Sequence, residues 1–201
     1  LQQLVAKIRE GVVVPANFNC PGQIVVSGEE AALRSLRELV LQEKGARAIP
    51  LRVNGAFHSP LMEESARRFA KELKNLRLNA PRPPVIGNVE AQPLDSPEAA
   101  KAAMTAQMTS PVQWEKTLNN MARAGTKVFL EVGPGQVLCG LVKRTLDNVA
   151  VYPTESPERL EEVFAALEQK SEETPAEAGE TEAAENPEEI NPEASMEERN
   201  E

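Results

Sequence analysis

The chain has 201 residues, 41% of them hydrophobic, which is enough for one medium domain with a real core. Its formal charge of -9 is unevenly spread: positions 171–201 hold twelve glutamates and one arginine, net -11, so positions 1–170 carry -9 - (-11) = +2. A near-neutral body without a basic stripe excludes a nucleic-acid surface, and two distant cysteines with a single histidine exclude a zinc site.

Leu1–Glu10 has an amphipathic helical pattern with no signal-peptide cleavage region, and no apolar run approaches the ~18 residues of a bilayer span. The sequence therefore reads as cytoplasmic, with no membrane partner. It starts with leucine inside that pattern, as a piece of a longer protein would. Val12–Asn19 reads as extended, Pro21-Gly22 as a turn and Gln23–Ser27 as a strand. Glu29–Lys44 is helical, with Leu33, Leu36 and Val40 on one face and Gly45 as its stop. Ala48–Val53 is the next expected strand. After it, Ser59 suits a helix cap and Pro60 the first helical position, and Met62, Ala66, Phe69, Leu73 and Leu76 make one apolar face. Helix, strand, strand, helix, strand is most of a ferredoxin-like unit that lacks its first strand.

Pro81-Arg82-Pro83-Pro84 breaks that helix and leads into a short strand at Val85–Asn88. A helix over Pro97–Met108 follows, and Pro111 opens the next one, with Leu118, Met121 and Ala122 on its buried side. Lys127–Val132 is nearly all apolar, as in a strand covered on both faces, and Gly133-Pro134-Gly135 turns it into a helix over Gln136–Leu146. Such alternation predicts an α/β layer with parallel pairing. Pro157–Gln169 carries one more amphipathic pattern. From Ser171 the glutamate, alanine and proline content predicts a disordered acidic tail.

His58, the only histidine, precedes the Ser59-Pro60 helix start. The residues alone leave two readings open, a histidine that decorates a turn and a general base. The Gly133-Pro134-Gly135-Gln136 turn matches neither the Gly-x-x-x-x-Gly-Lys-Ser/Thr nor the Gly-x-Gly-x-x-Gly phosphate loop, so it reads as a tight structural turn. Lys143 and Arg144 on the helix after it suit a helix C-terminus, with an acidic or phosphate-bearing partner as the alternative contact.

Four segments in order carry a resemblance: Asn17-Phe18-Asn19-Cys20-Pro21-Gly22-Gln23, Gly55-Ala56-Phe57-His58-Ser59-Pro60-Leu61-Met62, Ser110-Pro111-Val112-Gln113-Trp114 and Glu131-Val132-Gly133-Pro134-Gly135. Together they resemble the malonyl-CoA:acyl carrier protein transacylases and the related acyltransferase domains of fatty-acid and polyketide synthases. The resemblance implies a Ser-His ping-pong transfer of a malonyl group from coenzyme A to the phosphopantetheine thiol of acyl carrier protein. It makes His58 the base and the backbone carbonyl of Gln107 the group that orients its ring. It places Asn17 and Asn19 near the substrate cleft; the competing reading of these two is turn chemistry before Pro21-Gly22. Coenzyme A thioester and acyl carrier protein are the implied partners, with no bound cofactor, no metal and no nucleic acid, and a monomer when complete.

The sequence departs from the family in one respect: no serine sits in a Gly-x-Ser-x-Gly elbow. The expected fold class is α/β, the C-terminal portion of the family fold. Positions 1–60 would form a ferredoxin-like small subdomain without its first strand, 61–170 the C-terminal part of an α/β-hydrolase-like large subdomain, and 171–201 the disordered acidic tail. The nucleophilic serine and the carboxylate-binding arginine would lie upstream, and the chain alone would be inactive. The rival readings are an inactive remnant or interaction module that keeps the fold, and a transacylase for a different acyl group.

Overall fold

The computed structural model describes residues 1–172. Val13–Cys20 (β1) and Gln23–Gly28 (β2) pair antiparallel across the Pro21-Gly22 turn, where Gly22 takes a φ of +78°. Gly28 is required by close approach, since a Cβ there would lie 2.1 Å from the Val12 carbonyl oxygen. The helix expected over residues 1–10 is only the single turn Gln2–Val5 (α1), which is too short to hold itself without packing. Its Leu4 and Val5 pack with Ile8, Val26, Leu33 and Val40 around buried Val13, Ala32 and Leu36. Of these, Ala32, Leu33, Leu36 and Val40 lie on Glu30–Gln42 (α2), the helix the 3.6-residue period predicts.

The strand expected over Ala48–Val53 does not form. A strand needs a ladder partner, and among the described residues no strand pairs with this segment. Ile49, Leu51 and Val53 are consequently 77%, 57% and 60% exposed. Beyond them a 3₁₀ turn at Pro60–Met62 opens into Glu63–Asn75 (α3), which buries Ala66 and Leu73.

Val85–Ile86 (β3) pairs antiparallel with Pro93–Leu94 (β4), a strand with no clear pattern of its own. Pro97–Ala106 (α4) has its first turn capped by Ser96, whose Oγ accepts the Ala99 N–H at 3.1 Å. The following helix, Trp114–Arg123 (α5), starts three residues later than Pro111 suggests and buries Leu118 completely. Val128–Glu131 (β5) and Ala150–Pro153 (β6) pair in parallel through Val137–Thr145 (α6); the first strand, the turn and the helix of this βαβ unit match the sequence pattern, while β6 is a strand the pattern does not mark. Coverage of β5 on both faces is corrected: Val128, Leu130 and Val132 are exposed on one side, because no element among the described residues packs there.

Gly133 and Gly135 both have positive φ and bring Glu131 to the start of α6. Its carboxylate accepts the N–H groups of Leu138 (3.0 Å) and Cys139 (2.7 Å). Desolvation pushes the Glu131 carboxyl upward, but these amide donors outweigh it and hold the group below its ordinary range. The helix N-terminus is thus capped from within, which leaves no cradle for a phosphate. At the other end of α6, Arg144 donates to the Gln23 side chain on β2.

Pro157–Glu172 (α7) extends three residues past the expected helix end at Gln169, so positions 171 and 172 are helical. The remainder of the expected disordered tail lies outside the described residues. Residues 1–163 form one compact unit, and the second, from Phe164, is described only as the later part of α7. Among the described residues no helix is long and apolar enough to cross a membrane, and no cluster of three or more acidic, histidine or cysteine side chains is arranged to hold a metal.

Candidate active site

The chain around His58 is built by its neighbour. Ser59 is fully buried, and its Oγ donates to the Ala56 carbonyl at 2.6 Å while accepting the Leu61 N–H at 3.3 Å. The Met62 N–H in turn donates to the Ser59 carbonyl at 3.0 Å. This tight knot leaves His58 in the left-handed region, at a φ of +60°. For a residue with a Cβ that conformation costs on the order of 1–2 kcal/mol, which the surrounding hydrogen bonds must offset. Ser59 is committed to this knot, so its hydroxyl is not presented as a nucleophile.

The conformation turns the ring toward the C-terminus of α4. His58 Nδ1 lies 2.7 Å from the Gln107 carbonyl oxygen. A carbonyl can only accept, so Nδ1 carries the hydrogen and donates it, and the lone pair of the neutral ring sits on Nε2. Gln107 is the C-cap of α4, where carbonyls lack intrahelical donors, so the ring satisfies a group the helix cannot. No described residue hydrogen-bonds Nε2.

Gln107 is held in turn by Asn88, whose Nδ2 donates to the Gln107 Oε1 at 3.2 Å. The Asn88 carbonyl accepts the Gln113 N–H at 2.8 Å. Segment 110–113 then docks on β1: the Val112 N–H donates to the Ala16 carbonyl (2.8 Å) and the Phe18 N–H to the Val112 carbonyl (2.9 Å), with Asn17 and Val112 bridged in parallel. His58, Gln107 and the strand that bears Asn17 and Asn19 therefore belong to one hydrogen-bonded chain of segments. The β1 ladder shifts register between Pro15 and Asn17, just before the first asparagine, and again between Phe18 and Cys20, across the second. Asn88 has no sequence signal: the pattern makes it the last residue of a strand over Val85–Asn88, whereas the strand ends at Ile86 and Asn88 lies in the turn beyond it.

A histidine held through Nδ1 by a main-chain carbonyl on an α/β scaffold, with Nε2 open, is what group transfer by an imidazole base requires. The Acyl transferase domain family matches residues 3–174, and the chain belongs to that family. It is 35% identical over 173 residues to the malonyl CoA-acyl carrier protein transacylase of Bacillus subtilis (strain 168), covering 85% of this chain and 55% of that protein. The crystal structure of a malonyl-CoA:acyl carrier protein transacylase from Xanthomonas oryzae superposes with a TM-score of 0.78 at 36% identity, over 82% of this chain and 52% of that one. A malonyl-transacylase in complex with its type II PKS acyl-carrier protein superposes at 0.77 and 32% identity, over 83% and 53%. The chain spans about half the length of the relatives it matches.

Proposed function

We propose that this chain is the histidine-bearing half of a malonyl-CoA:acyl carrier protein transacylase. In that reading a serine from the remainder of the family fold attacks the malonyl thioester carbon while His58 Nε2 takes its hydroxyl proton. The tetrahedral intermediate collapses, the C–S bond breaks, and coenzyme A leaves as a thiol with that proton. In the second half-reaction Nε2 removes the proton of the phosphopantetheine thiol, whose sulfur attacks the acyl-serine, and the proton returns to the serine oxygen. Through both halves the Gln107 carbonyl accepts from Nδ1–H and stabilises the imidazolium as it forms, a dipole in the place a carboxylate occupies in other triads.

The observation that carries this reading is the 2.7 Å contact between Nδ1 and the Gln107 carbonyl, which leaves Nε2 as the free base. Further support comes from the family relatives and from the neighbour solved with an acyl-carrier protein. Asn17 and Asn19 would line the substrate cleft, and residues 1–60 and 61–170 would belong to the small and large subdomains of the complete enzyme. The test is His58→Ala in the complete polypeptide, which should retain its fold and lose at least ~100-fold in transfer rate. A folded variant with near-normal transfer would remove His58 from the mechanism.

A further inference from the structure

We propose that Asn88 is a positioning residue for His58, acting through the side chain of Gln107; this rests on the reading of His58 as the base. The Gln107 carbonyl can orient the ring only if the peptide between 107 and 108 keeps its direction, and that peptide lies where α4 has ended. Two short-range main-chain bonds, Met108 N–H to Thr105 carbonyl and Thr109 N–H to Ala106 carbonyl, both 3.2 Å, carry the backbone out of the helix there. Helix ends of this kind fray. Asn88 grips segment 107–113 at both ends, the Gln107 side chain with its amide and the Gln113 N–H with its carbonyl.

The grip is rigid because the loop that bears Asn88 is itself pinned. The Gly87 N–H donates to the Gln92 carbonyl at 2.9 Å, and the Ala91 N–H to the Gly87 carbonyl at 3.1 Å. Ala91 is buried, and its carbonyl accepts from Asn120 Nδ2 on α5 at 2.9 Å. A fixed donor thus holds the Gln107 side chain, which holds the Gln107 backbone, which holds the ring. Released from it, the carbonyl swings, the Nδ1–H bond weakens steeply with angle, and the ring loses its fixed tautomer and direction.

Two variants break this one link from opposite sides. Asn88→Ala removes the amide but keeps the carbonyl that binds Gln113. Gln107→Ala removes the side-chain acceptor but keeps the main-chain carbonyl that binds His58. In the complete polypeptide labelled with ¹⁵N-histidine, the His58 signals are assigned by their absence in His58→Gln. Each single variant should lose the slowly exchanging Nδ1–H resonance, and each should slow acyl-enzyme formation about 10-fold with KM for the thioester unchanged. The double variant should be no slower than either single one, because both cut the same bond.

If Asn88→Ala fails to fold, Gln107→Ala decides alone. Gln107→Ala with the Nδ1–H signal and the rate both unchanged would overturn the proposal, as would additive losses in the double variant. A resonance that depends on Asn88 in a protein that transfers no acyl group would leave the positioning role standing and remove the transacylase reading instead.

Discussion

Two apolar strips that no described residue covers are expected to set the behaviour of this chain in isolation. Ile49, Leu51 and Val53 line one strip, and Val128, Leu130 and Val132 line the other, with exposures between 36% and 85%. Fully burying one such side chain stabilises by about 1.5–3 kcal/mol, so covering all six from these exposures is worth roughly 5–10 kcal/mol. That equals the whole stability of an ordinary domain, and the strips are expected to find other copies of the chain if nothing else covers them. The triple change Ile49→Thr, Leu51→Thr, Val53→Thr should have effects of opposite sign in two settings. In the isolated chain it should lower binding of an apolar-surface dye and reduce the aggregate seen by sedimentation velocity. On the proposed reading, the remainder of the family fold would cover the strip in a complete polypeptide, and there the change should cost about 2–4 kcal/mol in denaturant unfolding. An isolated wild-type chain that sediments as a monomer, binds no dye and melts in one cooperative step would show that the strips need no cover.

Two further predictions concern single groups. The carboxyl of Glu131 titrates below its ordinary value of 4.5 in the folded protein. Its contribution is therefore present above that value and is lost as pH falls through the lower folded one. Glu131→Gln should cost about 1 kcal/mol at pH 7, the lower part of the capping range because solvent screens the carboxylate. Denaturant curves of the two proteins should converge as pH falls below the ordinary value of 4.5; a gap that persists or widens in acid would show that the charge is not what caps α6. Ser59→Ala leaves the Ala56 carbonyl without the Ser59 hydroxyl and the Leu61 N–H without its acceptor in a buried knot, and should cost about 1–3 kcal/mol of unfolding free energy. Unchanged stability would mean that the left-handed turn at His58 is held by something other than Ser59.

The sequence spelled out the elements whose signals are local. The 3.6-residue spacing of Leu33, Leu36 and Val40 defined α2, and the Ser59-Pro60 pair marked a helix start through a side-chain acceptor and a missing amide donor. The first strand, glycine turn and helix of the βαβ unit were legible in succession, and the parallel pairing with them, while its second strand, β6, was not. Two misses share a cause: local pattern cannot say whether a partner is present. The alternation of Ile49, Leu51 and Val53 is not enough for a strand without a second ladder, and an apolar run at Lys127–Val132 does not reveal which of its faces is covered. The His58 segment was legible as chemistry through its resemblance, yet its left-handed backbone was not, because that conformation is imposed by bonds from Ser59 and by the carbonyl at the end of a helix nearly fifty residues away. Asn88 was invisible for a related reason, since its role exists only once β3, β4, α4 and α5 are assembled.

Rapid-quench mass spectrometry of the complete polypeptide with malonyl-CoA puts the division of labour between His58 and a serine elsewhere to its sharpest test. A stoichiometric malonyl adduct is expected on a serine outside these 201 residues, formed at least ~100-fold more slowly in His58→Ala. An adduct on any serine within this chain, or one that forms equally fast without His58, would contradict that assignment.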